Sequence, residues 1–306
     1  MERIKLKSPG TVANLVCGFD ILGLALHEPY DVLEAWLTDE PGVRIINRDD
    51  YDLPTDPQKN VAGVVLLAAL EKAGVKRGIT IEMEKRIMPG SGIGSSAASA
   101  AGAAVAANQL LGLPFNNDEL IQLAMLGEKL ASGVKHADNI APCIMGGVTL
   151  IRSIHPLDII SIPSPDLYVA VVHPQIEVRT SDARQILRQQ VLLKDAIRQW
   201  GNIAGLVTGL LKNDLDLIGR SLEDVIIEPV RSILIPGFDE VKKRCREAGA
   251  LGGGISGSGP SIFMLCRDKQ SATEVESVMR DVYVHIGLEH HTYVTTINKK
   301  GVEVIP

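Results

Sequence analysis

Pro89-Gly90-Ser91-Gly92-Ile93-Gly94-Ser95-Ser96-Ala97-Ala98 sits between two segments of different period, and its reading decides the fold. Upstream, Ile79, Ile81 and Met83 alternate with Thr80, Glu82 and Glu84, the pattern of a half-buried strand over Ile79–Lys85. Downstream, an Ala-rich run predicts a helix from about Ser95 to Leu111. Ser99, Asn108 and Gln109 interrupt that run, so it reads as a core helix and not a membrane span. Between strand and helix, the alternate glycines let consecutive N–H groups curl toward one point. Ser95 and Ser96 then open the helix, where unpaired N–H groups and the macrodipole favour an anion. This is the physical recipe for a phosphate cradle. The plainer reading is a tight strand–helix connection built from small residues for close packing. It is not a Walker A loop, because no Lys-Ser/Thr follows the glycines.

A second glycine-rich segment, Gly252-Gly253-Gly254-Ile255-Ser256-Gly257-Ser258-Gly259-Pro260-Ser261, matches GxGxxG formally at Gly252, Gly254 and Gly257. A dinucleotide fingerprint needs a helix after it, whereas Pro260 and Ile262-Phe263-Met264-Leu265 predict a strand. A backbone that must approach something closely accounts better for these glycines than a mobile surface turn does.

Further out, strands are expected at Ile4–Lys7, Tyr30–Thr38, Val148–Ile154, Leu157–Ile162, Leu167–His173, Ile262–Cys266 and His291–Ile297. Helices are expected at Val61–Ala73, capped by Asn60 and closed by Gly74, and after a cap at Asp118. More follow over about Asp182–Val191, Lys194–Lys212, Leu215–Leu222, Phe238–Ala248 and Ala272–Ile286. Interleaved strands and helices in both halves give an α+β class with two layers per domain. Pro163-Ser164-Pro165-Asp166 marks the expected boundary, dividing the chain into 1–162 and 163–306.

The 306 residues suffice for two domains at ~100–200 residues each. Only 4% are aromatic and the net charge is −6, which removes both the stacking surface and the electrostatic footprint of a nucleic-acid binder. Cys17, Cys143, Cys245 and Cys266 lie far apart, without a CxxC pair. Zinc sites and disulfide scaffolds are therefore not expected. The start of the chain has no basic-plus-apolar leader, so the reading is a cytoplasmic protein without a membrane partner.

The two glycine loops, taken with Ser8-Pro9-Gly10-Thr11-Val12-Ala13-Asn14, resemble the three motifs of the GHMP small-molecule kinases, in order and across nearly the whole chain. That family includes galactokinase, homoserine kinase, mevalonate kinase and phosphomevalonate kinase. The resemblance implies an N-terminal domain holding the ATP loop, a ferredoxin-like C-terminal domain, and an active site in the cleft between them. Four further segments are similar to the homoserine kinases of the family. They are Gly18-Phe19-Asp20-Ile21-Leu22-Gly23, His136-Ala137-Asp138-Asn139-Ile140-Ala141-Pro142, Thr180-Ser181-Asp182-Ala183-Arg184, and Glu228-Pro229-Val230-Arg231 with Ile235-Pro236-Gly237. Val16-Cys17 departs from the Gly-Pro usual before GFD, which is expected to loosen that turn while leaving Asn14 and Asp20 in place.

The resemblance implies ATP and Mg²⁺, and phosphorylation of the L-homoserine side-chain hydroxyl to O-phospho-L-homoserine in threonine synthesis. ATP would lie on Pro89, Gly90, Ser91, Gly92, Ile93, Gly94, Ser95, Ser96, Ala97, Ala98 and Ser99, on Gly257, Ser258 and Gly259, and with its adenine near Asn60. Glu128, eleven residues before Asn139, is the magnesium carboxylate by position, with the Ser96 hydroxyl as its partner. Asn139 stands where mevalonate kinase and galactokinase carry an aspartate proposed as base. An amide takes no proton at neutral pH, so Asn139 orients the hydroxyl and no protein base is required. Asp138 beside it is the competing candidate. Arg184 and Arg231 suit a carboxylate through their bidentate fork, Asp20 suits the ammonium or hydroxyl, and Asn14, His136 and Thr180 complete the hydrogen bonds. Each has a plainer account: a solvated helix arginine, a satisfied core histidine, a helix N-cap. Two other functions compete, a GHMP kinase for a neutral or acidic alcohol and a non-catalytic ligand sensor. The sequence does not give the oligomeric state; the resemblance allows a homodimer, since many relatives are dimers.

Overall fold

The computed structural model describes residues 3–306. The first half runs β1 (Arg3–Ala13), β2 (Leu22–Thr38), β3 (Gly42–Asn47), α1 (Val61–Ala73), β4 (Gly78–Glu84), α2 (Ser95–Leu111), α3 (Asn117–Ser132), α4 (Ile140–Met145), β5 (Val148–Ile154) and β6 (Leu157–Ile162). The second runs β7 (Tyr168–Pro174), α5 (Thr180–Gln185), α6 (Leu193–Lys212), α7 (Leu215–Ser221), α8 (Glu228–Arg231), α9 (Phe238–Glu247), β8 (Gly252–Ile255), β9 (Ile262–Cys266), α10 (Lys269–Ile286), β10 (His290–Thr296) and β11 (Glu303–Ile305).

Seven strands form the first sheet in the order β11-β1-β2-β4-β3, with β5 pairing the start of β2 and β6 pairing β5. Helix α2 lies between this sheet and its partners α1 and α3, and its alanines are buried on every side. That double burial explains the composition, since only small side chains let a helix approach a sheet and two helices at once. At Gly102 a β-carbon would stand 2.9 Å from Leu33, where α2 rests on β2.

The second sheet is antiparallel, in the order β10-β7-β9-β8. Strand, helices, hairpin, helix and strand in that order give the ferredoxin-like arrangement. Ala170, Val172, Ile262 and Met264 face α9 and α10, while Val169, Val171, Phe263 and Leu265 face the opposite core with Leu206, Leu210 and Ile218. Period-two alternation thus feeds two cores from one sheet. Residues 3–162 feed the first sheet and 168–296 the second, and the chain then crosses back: Lys5 pairs with Ile305.

Several expected elements change. The helix after Asp118 is capped by Asn116, through a capping box with Glu119. The expected helix Asp182–Val191 is only Thr180–Gln185, and Thr180 is its first helical residue, with Arg179 in the cap position. Strands β3 and β11 and helix α4 were not anticipated. Gly252-Gly253-Gly254 belong to strand β8, paired antiparallel with β9, and not to a loop; glycine is needed there because β-carbons at 253 and 254 would strike the Phe263 carbonyl and the Glu228 carboxylate. The helix Val61–Ala73 and its caps are as expected: Asn60 accepts from Ala62 N and Gly63 N, and Gly74 closes it at φ 65°.

Candidate active site

The two glycine segments meet. Gly90, Gly92 and Gly94 have φ of 77°, 82° and 74°, the left-handed region in which a β-carbon is strained. At Gly92 a β-carbon would also lie 2.5 Å from the Gly259 carbonyl oxygen. Ser256 Oγ donates to the Gly92 carbonyl at 2.7 Å. The close approach expected of the second segment is therefore made to the first.

Between them and the starts of α1, α2, α4 and α5 lies a cavity of about 330 Å³. Asn14, Asp20, Asn60, Pro89, Gly90, Gly92, Gly94, Ser95, Ser96, Ser99, Glu128, His136, Asn139, Thr180, Arg184, Arg231, Gly257 and Ser258 all line it. Ser91, Ile93, Ala97, Ala98 and Gly259 do not. Ser91, Ile93, Ala97 and Ala98 are buried, with Ile93 taking the Thr11 N–H and Ala98 the Ser8 hydroxyl on their carbonyls. Asn60 accepts from two helix N–H groups and donates to the Pro54 carbonyl, so its amide serves the helix start first.

At the mouth of α2, Ser96 Oγ donates to Glu128 Oε2 at 3.0 Å. Burial raises the proton affinity of Glu128, while the Ser96 hydroxyl and nearby Arg184 lower it. Two hard oxygens at a helix N-terminus, one a desolvated carboxylate, fit a small divalent cation. Lys85, read from sequence as the end of a strand, has its ammonium buried against the Asp31 carboxylate, the Ser95 carbonyl (2.7 Å) and Ser99 Oγ (2.9 Å). It ties β4 to the first turn of the loop helix. Thr11 Oγ1 donates to Asn139 Oδ1 at 2.7 Å and fixes that amide. Lys85 and Thr11 line or support the site and were missed. A charged or hydroxylated residue in a buried strand is the signal that could have found them.

Across the cavity, Arg184 Nη2 donates to Asp20 Oδ1 at 2.7 Å, and His136 Nδ1 lies 3.4 Å from the same guanidinium nitrogen. Burial pushes the His136 pKa down, keeping the ring neutral. His136 Nε2 and Arg184 Nε are buried without a hydrogen-bond partner, a condition a polar ligand would relieve. Arg231 donates to the Ala183 and Gly257 carbonyls, and burial beside Arg184 lowers its pKa to about 10, so it stays charged. Both guanidinium carbons stand over the Phe19 ring, at 5.4 Å and 4.8 Å. Thr180 Oγ1 and Ser258 Oγ are 3.2 Å apart. Asp138, the competing candidate, is buried but lines the same cavity as Asn139 and accepts from Asn139 N at 3.2 Å; desolvation with Asp20 and Glu128 nearby raises its pKa to about 7. The turn at Val16-Cys17 is closed, not loosened: Cys17 N donates to the Leu15 carbonyl at 2.9 Å, a bond proline has no hydrogen to make.

Comparison with known proteins agrees with this geometry. The GHMP kinases N terminal domain matches residues 60–147 and the GHMP kinases C terminal domain residues 206–285. A homoserine kinase of Chloroherpeton thalassium is 44% identical over 319 residues, covering 100% of both chains. One from Methanocella arvoryzae is 41% identical, covering 100% of this chain and 98% of its own. The crystal structure of homoserine kinase from Cytophaga hutchinsonii superposes with a TM-score of 0.96 at 49% identity, over 100% of this chain and 98% of that one. The mevalonate kinase of L. major, at 17% identity and TM-score 0.73, shares the fold. The chain belongs to the GHMP kinase family, in its homoserine kinase branch.

Proposed function

We propose that this cleft transfers the γ-phosphoryl group of ATP to the side-chain hydroxyl of L-homoserine, giving O-phospho-L-homoserine and ADP on the way to threonine. One observation carries the substrate half of the reading: opposite charges, Asp20 against Arg184 and Arg231, line the same cavity as the phosphate loop. That arrangement suits an α-amino acid better than a neutral or acidic alcohol. The N–H groups of the glycine loop and the start of α2 bind the phosphates, and Arg184 and Arg231 bind the carboxylate. Asp20 takes the ammonium, with Asn14, His136 and Thr180 beside it. Mg²⁺, held by Ser96 and Glu128, would neutralise phosphate charge. Asn139, held by Thr11, orients the hydroxyl for in-line attack on the γ-phosphorus. The bond from phosphorus to the ADP oxygen breaks as the new P–O bond forms, and the hydroxyl proton leaves to phosphate.

No helix of the described residues is long and apolar enough to cross a membrane. We assign the reaction to the cytoplasm, where the four buried thiols stay reduced. Residues 1–162 act as the ATP-loop domain and 163–306 as its partner, apart from strand β11, which returns to the first sheet. A second copy of the chain is the partner we assign to α6, whose Leu193, Ile197, Trp200, Ala204 and Leu211 are exposed along one side at coiled-coil-like spacing. Light scattering should give a dimer that Trp200→Lys dissociates. For the activity itself, an ADP-release assay with homoserine, galactose and mevalonate is decisive. Homoserine should be turned over and the two neutral or acidic alcohols should not. ADP release independent of homoserine overturns the reading.

A further inference from the structure

The turn that presents Asp20 is strained. Asn14, Leu15, Val16 and Asp20 have φ of 73°, 41°, 65° and 62°, where a side chain crowds its own backbone, and Val16 is β-branched. Such a conformation persists only where surrounding bonds over-determine it. Asn14 supplies two, accepting from Asp20 N and donating to the Gly257 carbonyl. The middle of the turn is gripped from much farther along the chain. Gln199, buried on the inner side of α6, donates Nε2–H to the Cys17 carbonyl at 2.8 Å, and its Oε1 accepts from Val225 N at 3.1 Å. Val225 adjoins Asp224, whose carboxylate gathers the N–H groups of Ile226, Ile227 and Glu228 and so starts the helix that ends at Arg231.

One buried amide thus bonds both segments. On one side is the turn that carries Phe19 and Asp20, on the other the segment that carries Arg231. We infer that Gln199 is a positioning residue that sets the separation of Asp20 from Arg231, and with it the fit of the cleft to the ammonium and carboxylate of an amino acid. The inference rests on the proposed homoserine activity. Gln199 does not line the cavity, so its effect passes through the two segments it joins.

Gln199→Leu keeps the volume and removes both bonds. It should raise the homoserine KM at least tenfold, with the ATP KM within about twofold of wild type. Val16→Gly relieves the left-handed strain, so the turn holds its shape without the tie. Alone it should change the homoserine KM little; added to Gln199→Leu it should recover most of the loss. A merely structural glutamine would show no such rescue. Equal rises in both KM values, or strictly additive effects of the two substitutions, overturn the inference. Should Gln199→Leu fail to fold, Gln199→Asn, which keeps a buried amide too short to span both carbonyl and N–H, is read in the same way. A wild-type enzyme that does not turn over homoserine sinks the underlying reading. An active wild type with an unaltered Gln199→Leu KM sinks this one alone.

Discussion

Arg184 Nη2 donates to Asp20 Oδ1 at 2.7 Å, so the side chains assigned to the two ends of the substrate are bonded to each other across the cleft. The pair is partly exposed, at 28% and 30%, and on the proposed assignment a zwitterion would enter by exchanging one ion pair for two.

From that exchange, Arg184→Leu or Arg231→Leu should raise the homoserine KM tenfold or more, on the order of 1.5–3 kcal/mol for a lost charged hydrogen bond. The ATP KM should change little, because the proposed phosphate site is the glycine loop and not these arginines. Asp20→Asn should cost less in the Arg184→Leu background than in wild type, since the pair is coupled. Steady-state kinetics with each substrate varied in turn provide the check. Equal losses toward both substrates would move the arginines to the nucleotide.

Glu128→Ala should lower kcat at least a hundredfold while homoserine binding and the melting temperature stay near wild type. The Ser96–Glu128 pair presents hard oxygens at the point where the triphosphate would lie, and on the proposed reading a metal held there would stabilise the transition state more than the ground state. Near-wild-type kcat at saturating Mg²⁺ would remove Glu128 from the metal site.

Asp138 gives a pH prediction. Its carboxyl is raised from 3.8 to about 7, first by desolvation and then by Asp20 and Glu128. The folded-state pKa lies above the unfolded value, so ionised Asp138 destabilises the native state above pH 7. That penalty is relieved as pH falls through 7 toward 4. Asp138→Asn stays neutral throughout. It should raise stability at pH 8 by no more than about 4 kcal/mol, by less than half of that at pH 5, and hardly at all below pH 4. Denaturant midpoints at these pH values measure this, and an equal gain at all of them would exclude ionisation as its cause.

The strand–loop–helix unit from Ile79 to Leu111 was legible because alternation, glycine spacing and alanine content each act locally. Ser96, Glu128 and Asn139 were singled out through the resemblance to the family's motifs, and the fold brings all three to one cavity. The residues that hold the site in place were not. Lys85 finds Asp31 54 positions away, Thr11 finds Asn139 128 away, and Gln199 finds Cys17 182 away. Lys85 and Gln199 are polar residues on elements otherwise read by their apolar period, Thr11 lies past the expected end of its strand, and the partner of each is set only by the fold. Strand β8 was missed for a related reason. Glycine has little strand preference of its own, and the crowding by Phe263 and Glu228 that demands it lies outside the segment.

Threonine is an isomer of homoserine with its hydroxyl one carbon nearer the α-carbon. If Arg184 and Arg231 hold the carboxylate and Asp20 the ammonium, threonine docks by the same two charges. Its hydroxyl then falls short of the line toward the γ-phosphate set by Asn139, which Thr11 holds at 2.7 Å. In-line transfer needs reacting atoms about 3–3.5 Å apart, and a displacement of one carbon forfeits that geometry. Threonine should therefore inhibit competitively against homoserine, leave ATP binding largely alone, and be phosphorylated poorly or not at all. Inhibition kinetics at varied homoserine decide it. No inhibition at millimolar threonine, or inhibition that excess homoserine does not overcome, would show that the carboxylate pocket lies elsewhere.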